Sequence, residues 1–429
     1  MSEALDEKAA RRLLLSSSIG TIIEWYDFFA FASAAALVFD RVFFPQFAPA
    51  TGVLLSLMTY GVGFVTRPLG GIVFGIIGDK YGRKPALVAS LLLMGLCTVA
   101  VGLVPGYESI GLLAPVLLVL LRLLQGLAVG GEVGGAVLLV AESMSRERRG
   151  FWTAWPQIGG PAGNLLAAGV LAGIAALLTE ANFLGYGWRI AFLMSGGLIA
   201  IGVWMRSHVE ESPLYREHVA RRAERRRDPM LGALRKHARA VLTVLLVKAG
   251  ENALFYVFTT FFVVYVTRVL HQPRALALTA TLCGSAVEVA TIFWAGSLSD
   301  RYGRRPVTAI GLLGAAAWSF LLFPLIDTGS VAAITLAAIV SGLLHGFIVG
   351  GMSAFFVELF PTPVRYSGFS TGYQLASVIS GAVAPIIGVA LLERFGSTVP
   401  VSLYAALMAV PALLCLWRSP ETKGLDLSK

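Results

Sequence analysis

Charged residues are scarce in this chain. Asp, Glu, Lys and Arg make up 14% of its 429 residues, whereas 56% are hydrophobic and the mean hydropathy is +0.76. This composition excludes an ordinary soluble domain and indicates an integral membrane protein. Cysteine is also rare: Cys97, Cys283 and Cys415 each lie in an apolar run, and their odd number argues against a disulfide framework. We expect no metal site and no cofactor.

Long apolar runs occupy most of the sequence. About 20 apolar residues span a bilayer as a helix, and the chain holds twelve such runs. The first run is too long for a signal peptide and lacks a small-residue cleavage site, so it is expected to remain as a span. The expected fold class is an all-α membrane protein with twelve transmembrane helices. The expected spans are 13–39, 51–77, 86–104, 111–140, 151–178, 188–206, 240–270, 275–298, 307–326, 331–357, 366–392 and 399–418.

One charged segment occurs twice. Residues 78–85 (GDKYGRKP) return as residues 299–306 (SDRYGRRP), each time between two apolar runs. A turn rich in charge cannot lie in hydrocarbon, so both copies are placed at a membrane surface. Their basic character predicts that this surface and both termini are cytoplasmic. The net charge of +9 is thus attributed to Lys and Arg retained on the cytoplasmic side of the membrane, and no nucleic-acid partner is expected.

A polar interval lies midway between the two copies. It divides the chain into a six-helix bundle at 1–206, a cytoplasmic linker at 207–239 and a second six-helix bundle at 240–429, expected to be parallel copies. The basic stretch 221–227 of the linker has two readings. It lies against anionic lipid headgroups, or it binds a regulator.

The repeated turns resemble the signature of a known family. From Gly75 and again from Gly296 they follow the pattern Gly, three residues, Asp, basic, any, Gly, Arg, basic, which is similar to that of the major facilitator superfamily. Segments resembling its metabolite:proton symporter branch are 24–29 (EWYDFF), 67–71 (RPLGG), 122–126 (RLLQG) and 130–132 (GGE). Within that branch, 38–46 and 365–377 look most like shikimate transporters. The resemblance implies two pseudo-symmetric bundles, rocker-switch alternating access, and proton-driven import of a small hydroxylated or organic acid.

Charged side chains within the spans are candidate functional groups, because a charge near the bilayer centre costs a few kcal/mol or more unless it is paired or hydrated. Lys248 and Glu251 are three residues apart and are expected to form an ion pair within one helix. Glu132 lies nearer the cytoplasmic side. Those predicted near mid-depth are Glu24, Asp27, Arg67, Arg122, Glu251, Glu288 and His345.

Proton coupling is expected to use carboxylates and a histidine. Glu24 and Asp27 share a helix face, where two carboxylates repel unless one binds a proton or meets a cation. His345 titrates near neutral pH when unperturbed. The alternatives are a fixed salt bridge from this carboxylate pair to Arg122 or Arg67, and a structural hydrogen bond for the histidine. The proton-coupling set is Glu24, Asp27, Glu132 and His345.

Substrate binding is expected around the same depth. Arg122 is suited to clamp a carboxylate through two hydrogen bonds, or instead only offsets Asp27 or Glu132. Arg67 and Glu288 each lie twelve residues before the aspartate of their repeated turn, so they are pseudo-symmetric. For any single amide or tyrosine, packing is the alternative role. The predicted substrate-binding set is Tyr26, Arg67, Arg122, Gln157, Asn164, Glu251, Tyr256, Glu288, Tyr373 and Gln374.

The ends of the spans predict a gate. Glu142 precedes Arg149 by seven residues, as Glu358 precedes Arg365. The resemblance implies that two such charge clusters hold the cytoplasmic side closed, the alternative being solubility of the loops alone. One predicted cluster is Asp79, Arg83, Glu142 and Arg149, and its copy is Asp300, Arg304, Glu358 and Arg365.

Other functions remain open at this point. Residues 159–163 (GGPAG) partly resemble the Gly-Pro element of proton-coupled exporters of drugs or metabolites, and a ligand sensor that does not transport is a further alternative. Osmoprotectant and dicarboxylate symporters are also considered. No segment is long enough for an extramembrane catalytic domain, so an enzyme is not expected. The expected setting is a prokaryotic inner membrane, with protons, lipid and a small organic acid as partners and a monomer as the default state.

Overall fold

The computed structural model describes residues 7–81, 83–130, 133–207, 236–361, 365–381, 383–425 and 427. All regular secondary structure within these ranges is helical. Twelve spans, labelled α1 to α12, traverse the bundle, as the sequence predicts. Residues 208–235, which make up most of the predicted linker, lie outside the described residues, so the domain boundaries remain predictions.

The first six spans form one bundle. α2 and α5 are each built from two helices that meet at a short break, and α4 is described in two parts on either side of residues 131 and 132, which lie outside the described residues. The spans are α1 (Glu7–Leu37), α2 (Pro49–Val65 and Arg67–Tyr81), α3 (Arg83–Leu103), α4 (Leu113–Val129 and Val133–Ser143), α5 (Arg149–Gln157 and Gly159–Leu177) and α6 (Trp188–Ser207).

The last six spans form the second bundle. α7 continues from its α-helix into two π-helical segments, and α11 contains one. The spans are α7 (Ala238–Tyr256, extended through Val257–Phe261, Phe262–Val264 and Tyr265–Val269), α8 (Arg274–Tyr302), α9 (Arg304–Ile326), α10 (Val331–Glu358), α11 (Arg365–Ala376, Ser377–Gly381 and Ala384–Phe395) and α12 (Val399–Arg418).

The length and composition of these helices suit a bilayer. In the described residues, nine helical stretches are long and apolar enough to cross a membrane, and the apolar parts of α3 and α4 are shorter. Together with α1 these make the twelve spans. Large apolar side chains face outward, among them Leu96, Leu177 and Trp417, as expected for a surface in contact with lipid.

The expected spans did not include breaks. α2 is interrupted at Thr66 and α5 at Ile158, whereas both were expected to be continuous. Pro161 has no N–H to donate to the Gln157 carbonyl, and its ring clashes with that carbonyl, which accounts for the break in α5. The Pro156 carbonyl, beside this break, accepts a hydrogen bond from Thr21 of α1 at 2.9 Å.

The two bundles meet mainly along two helix pairs. α5 packs against α8 and α2 packs against α11. The repeated turns join α2 to α3 and α8 to α9, and we call the end that carries them the basic end. Gly303, in the second turn, has φ of +109°, a backbone conformation that an L side chain rarely adopts. The far end, near the short helices Phe39–Val42 and Glu180–Asn182, is called the opposite end.

Candidate functional site

Four ionisable side chains form a buried chain in the second bundle, which we call the histidine cluster. Its members are Lys248 and Glu251 on α7, Glu288 on α8 and His345 on α10, each at most 5% exposed. The Lys248 ammonium lies 2.5 Å from Glu251 Oε2, which confirms the predicted ion pair. His345 bridges two carboxylates, with Nε2 2.9 Å from Glu251 Oε1 and Nδ1 2.6 Å from Glu288 Oε1.

This geometry fixes a proton count. Each short contact between a ring nitrogen and a carboxylate oxygen needs a hydrogen between the two atoms. A neutral imidazole carries one such hydrogen, so His345 between Glu251 and Glu288 requires one more. That hydrogen resides on the imidazole or on one of the carboxyl groups. Both contacts of His345 are therefore satisfied when one proton is added to neutral histidine and two carboxylates.

A second group of charges lies in the first bundle, around a cavity of about 10 Å³ that we call the arginine pocket. Arg67 of α2 and Arg122 of α4 line it, together with Glu24 and Asp27 of α1. Both guanidinium groups lie over aromatic rings. Among the described residues, these ring contacts are Arg67 over Phe64 at 4.3 Å and Phe28 at 4.8 Å, and Arg122 over Phe31 at 4.2 Å, Phe28 at 5.0 Å and Tyr60 at 5.2 Å.

Hydrogen bonds link the charges of this pocket. Asp27 accepts from Thr98 of α3 at 2.9 Å and from Ser195 of α6 at 2.6 Å. Gln125 donates to Thr98 at 2.6 Å and accepts from Arg122 at 3.0 Å. A continuous chain thus runs from the arginine to the aspartate. It fixes both the carboxylate and the guanidinium in position.

Aromatic rings separate the arginine pocket from the histidine cluster. Tyr256 of α7 packs against three rings of the first bundle, Phe28, Tyr60 and Phe64, with centroids 6.0 to 6.3 Å away. Phe255, its neighbour on α7, stacks on His345 at 4.5 Å. The rings form a continuous layer at the boundary between the bundles, with the arginines on one side and the histidine on the other.

The remaining predicted substrate residues are dispersed. Tyr26 is fully buried and donates to the Ala191 carbonyl of α6 at 2.6 Å, so it packs inside the first bundle. The Tyr373 ring lies 4.6 Å from the Lys248 ammonium. Gln374 donates across the bundle boundary to the Gly130 carbonyl of α4 at 3.3 Å.

Two further predicted residues lie along α5, and one lies elsewhere. Asn164 donates to Ser285 of α8 at 3.0 Å, again across the bundle boundary. Gln157 is half-buried beside the break in α5. Glu132, assigned to proton coupling, lies outside the described residues.

Sequence reasoning missed several residues of the site. Asn252 on α7 is 3% exposed and its Nδ2 has no hydrogen-bond partner among the described residues. Gly250, two residues earlier, packs against α12, so Asn252, about 200° further round the helix, faces the other way. An uncharged amide next to Glu251 in an apolar span is a signal that could have identified it. Thr98 and Ser195 offered no such signal, because single hydroxyls are common in membrane helices.

Ion pairs join the two bundles at the basic end. Arg149 of the first bundle lies 2.8 Å from Glu358 of the second, and Arg365 of the second lies 3.1 Å from Glu142 of the first. The expectation of two separate clusters, one in each bundle, needs correction: the glutamates and arginines exchange partners across the boundary. The side chains of Asp79 and Arg83 lie outside the described residues.

Asp300 adds a further contact between bundles. Its two carboxylate oxygens accept from the backbone N–H groups of Gly150 and Phe151, at 2.8 and 2.9 Å, at the start of α5. A carboxylate is favourable there because a helix N-terminus presents unpaired N–H groups and a positive dipole end. Arg304 binds both Asp300, at 2.6 Å, and Glu358, at 3.2 Å, so these three residues and Arg149 form one network.

The segment after α12 completes this network, a role that the sequence did not reveal. Thr422 donates to Glu358 at 2.8 Å. The carbonyls of Leu425 and Leu427 accept from Arg149 and Arg365, at 3.0 and 2.9 Å. Both arginines that cross the boundary are therefore held by the C-terminal segment as well as by a glutamate.

Weaker contacts close the opposite end. Asp40, 6% exposed, lies 2.9 Å from Arg268 at the end of α7. Glu180 lies within 3.5 Å of Arg41 and Arg274, but all three of these side chains are partly exposed, so these pairs contribute little. The described part of the chain thus has contacts between the bundles at both ends and contains small cavities, including the arginine pocket.

These features define a polytopic membrane carrier with charged groups at mid-depth and a contact network at each end. The family model of the Major Facilitator Superfamily matches residues 17–361 and 252–429. The chain belongs to the major facilitator superfamily.

Known proteins agree with this assignment but differ in substrate. The shikimate transporter of Escherichia coli (strain K12) is 39% identical over 388 residues, covering 90% of this chain and 89% of that protein. The proline/betaine transporter of the same strain is 31% identical over 434 residues, covering 99% and 86%. The solved structure of the E. coli xylose transporter XylE, partially occluded and inward open, matches with a TM-score of 0.74 at 20% identity, covering 98% of this chain and all of that one. The chain is a membrane transporter of a small molecule and not an enzyme.

Proposed function

We propose that this protein is a proton-coupled symporter that imports a small hydroxylated carboxylate, most closely of the shikimate type. The observation that carries the proposal is that the two bundles hold different charged groups. The second bundle holds a cluster whose geometry requires one added proton, and the first holds two buried arginines around a pocket. A proton can therefore bind in the second bundle and an anion in the first, next to the boundary between them.

The histidine cluster is the proposed proton site. With the added proton, Lys248, Glu251, His345 and Glu288 sum to zero net charge. Without it the cluster carries one negative charge, and one contact between His345 and a carboxylate loses its hydrogen. A buried uncompensated charge is costly in a membrane protein, so the closed state favours the protonated cluster. Proton release then requires water to reach the cluster.

The arginine pocket is the proposed carboxylate site. Arg67 Nε and Arg122 Nη2 are buried and have no hydrogen-bond partner within the described part of the chain. Two N–H donors on guanidinium groups match the two oxygens of a carboxylate. In the second bundle, Asn252 Nδ2 and Gln374 Oε1 are likewise without partners there, which supplies one donor and one acceptor for substrate hydroxyl groups.

A betaine is a less suitable substrate for this site. Quaternary ammonium groups bind against the faces of aromatic rings. Here Arg67 and Arg122 already cover faces of Phe28, Phe31 and Phe64. In the histidine cluster, Lys248 and His345 already pair with Glu251 and Glu288. An added quaternary ammonium would meet the guanidinium groups in the arginine pocket and an already paired, neutral cluster in the second bundle. A carboxylate would meet two cationic donors in the arginine pocket.

Transport is proposed to follow alternating access, with the bundles rocking about the central site. The basic end is placed in the cytoplasm, because Lys and Arg are retained there, and both termini lie on that side of a bacterial inner membrane. Arg149–Glu358 and Glu142–Arg365 would part when the site opens inward, and Asp40–Arg268 would part when it opens outward. A single chain contains all of these elements, so a monomer suffices.

Uptake into proteoliposomes tests the proposal. Labelled shikimate is supplied with and without an inward proton gradient, and quinate, a dicarboxylate and glycine betaine serve as competitors. We expect gradient-driven accumulation that an uncoupler abolishes, with competition by quinate but not by betaine. His345→Gln should lose accumulation, whereas His271→Gln, an exposed histidine, should retain it.

Three results would contradict the proposal. Gradient-driven uptake of betaine in preference to any carboxylate would reject the substrate class. Proton release on addition of a drug would indicate an exporter. Ligand binding without transport or counterflow would indicate a sensor.

A further inference from the structure

A second cavity, of about 20 Å³, lies between the bundles on the opposite-end side of the histidine cluster. Spans α1, α5, α7 and α8 surround it. A cavity of this size with polar walls is large enough to hold a water molecule. The polar side chains that line it are Ser33, Asn164, Thr259, Thr260 and Thr281.

One face of α8 leads from this cavity to the histidine cluster. Thr281, Ser285 and Glu288 are spaced four and three residues apart, so they share one helix face. The rise along the helix from Thr281 to Glu288 is about 10 Å. All three are buried, between 3% and 8% exposed. Ser285 therefore lies between the cavity wall and the carboxylate that binds His345.

Ser285 is held from the other bundle. Asn164, which lines the cavity, donates its Nδ2 hydrogen to Ser285 Oγ at 3.0 Å. That hydrogen bond occupies the serine oxygen as an acceptor and turns its own hydrogen away from Asn164. Glu288 is one turn further along the same face, where side chains lie about 5–6 Å apart at Cβ, a gap that one water can bridge.

The cavity is closed toward the opposite end by a contact already described. Arg268 of α7 donates to the Ala36 carbonyl at 3.4 Å and to Asp40 at 2.9 Å, and Ala36 lines the cavity. Parting of the bundles at this end would break these contacts together with the Asn164–Ser285 hydrogen bond. The cavity would then open to water directly above Ser285.

We propose that Ser285 is the relay through which a proton passes from this cavity to the histidine cluster, with Asn164 as the residue that closes the relay. The inference rests on the proposed function, since it requires the cluster to bind a transported proton. In the step, the Ser285 hydroxyl gives its proton to the bridging water, which gives one of its own to the Glu288 carboxylate, and the serine takes one from a hydronium ion in the cavity. The hydroxyl ends unchanged, and one proton has moved inward.

Closure of the bundles stops the step for a defined reason. The serine oxygen must accept a proton from the water side while it donates toward Glu288. Of its two acceptor positions, the one toward the cavity is taken by the N–H of Asn164, which lines the cavity, and the Arg268–Asp40 contact shuts the cavity off from outside water. The charged groups around the receiving cluster are Lys248 and Glu251 from α7 and His345 from α10. From α11 the Tyr373 ring lies against Lys248, and from α5 the neutral Asn164 faces Ser285.

Two transport assays, gradient-driven uptake and counterflow, distinguish a proton-relay role of Ser285 from a purely structural one. Gradient-driven uptake requires a proton to be loaded and released in every cycle, whereas counterflow of labelled against unlabelled substrate can run with the proton retained. Full-length Ser285→Ala and Ser285→Thr are compared in proteoliposomes, with shikimate as the probe. Ser319→Ala is the matched control, because Ser319 is a fully buried serine of α9 that binds the Ser402 carbonyl, away from this path.

For Ser285→Ala we expect gradient-driven uptake to slow by about 100-fold or more, the scale on which a positioned proton-transfer group contributes. Counterflow should stay near that of the wild type, Ser285→Thr should restore gradient-driven uptake, and Ser319→Ala should change neither mode. Equal losses in both modes, or full gradient-driven uptake by Ser285→Ala, would overturn the relay while leaving the proposed function standing. A wild type with no gradient-driven uptake of any tested acid would overturn both.

Discussion

Replacing Glu288 by glutamine tests the proton count directly. The amide nearly matches the carboxylate in shape and can still hydrogen-bond to His345, but it carries no charge. A neutral imidazole can then donate to Glu251 and accept from the amide, so every short contact is satisfied without an added proton. Lys248 still balances Glu251. The variant should therefore fold and should lose its need for the transported proton.

The expected magnitude follows from one proton per cycle. A difference of one pH unit across the membrane is worth about 1.4 kcal/mol per proton, or a tenfold accumulation, so a gradient of two units supports about 100-fold. The wild type should approach this ratio for shikimate. Glu288→Gln should instead equilibrate the substrate, with a ratio of about one, while counterflow persists.

The assay compares steady-state accumulation in proteoliposomes at several imposed pH gradients. Glu147→Gln is the control, since the side chain of Glu147 is 70% exposed at the basic end and far from the cluster. A Glu288→Gln protein with normal counterflow and a wild-type accumulation ratio would refute the reasoning, because the transported proton would then bind elsewhere. Loss of both modes would instead point to a role for Glu288 in substrate binding, as the sequence first suggested.

Two further predictions concern the arginines. Arg122→Lys should raise KM for shikimate by about tenfold or more, with a smaller effect on kcat. The reason is that lysine lacks the two-pronged donor geometry and the planar face that lies over Phe31. The concentration dependence of uptake measures this change, and Arg394→Lys, at the end of α11, is the control. Arg149→Gln removes a buried partner of Glu358 and should shift the closed-to-open ratio of the basic end by at least about tenfold toward open. Labelling of a cysteine placed at Gln157 by an impermeant thiol reagent, added from the basic side, reports the change, and unchanged labelling would contradict the gate assignment.

Much of the fold follows from the sequence because the bilayer constrains it. Apolar runs must be helical and about 20 residues long, so counting them predicts twelve spans, and the repeated turn predicts two related bundles. Breaks inside spans carried a signal that counting apolar runs does not use, since Pro68 follows the break at Thr66 and Pro161 follows the break at Ile158. The π-helical stretch Tyr265–Val269 contains no such residue.

The site was predictable as a set of residues but not as a set of contacts. Glu251, Glu288 and His345 stand out because charge is rare in apolar helices, and the structure brings all three together. Which carboxylate meets which cation depends on how each helix is rotated about its axis. The spacing of residues along one helix does not predict that rotation. The exchange of partners between Glu142 and Glu358 at the basic end is the clearest example.

The most direct test of the account is simultaneous recording of proton and shikimate movement in proteoliposomes under either a pH gradient or a membrane potential alone. A monovalent carboxylate entering with one proton carries no net charge. The account predicts one proton taken up per shikimate, accumulation driven by the pH gradient, and none driven by the potential alone. Accumulation driven by the potential, or shikimate entry with no proton, would contradict it.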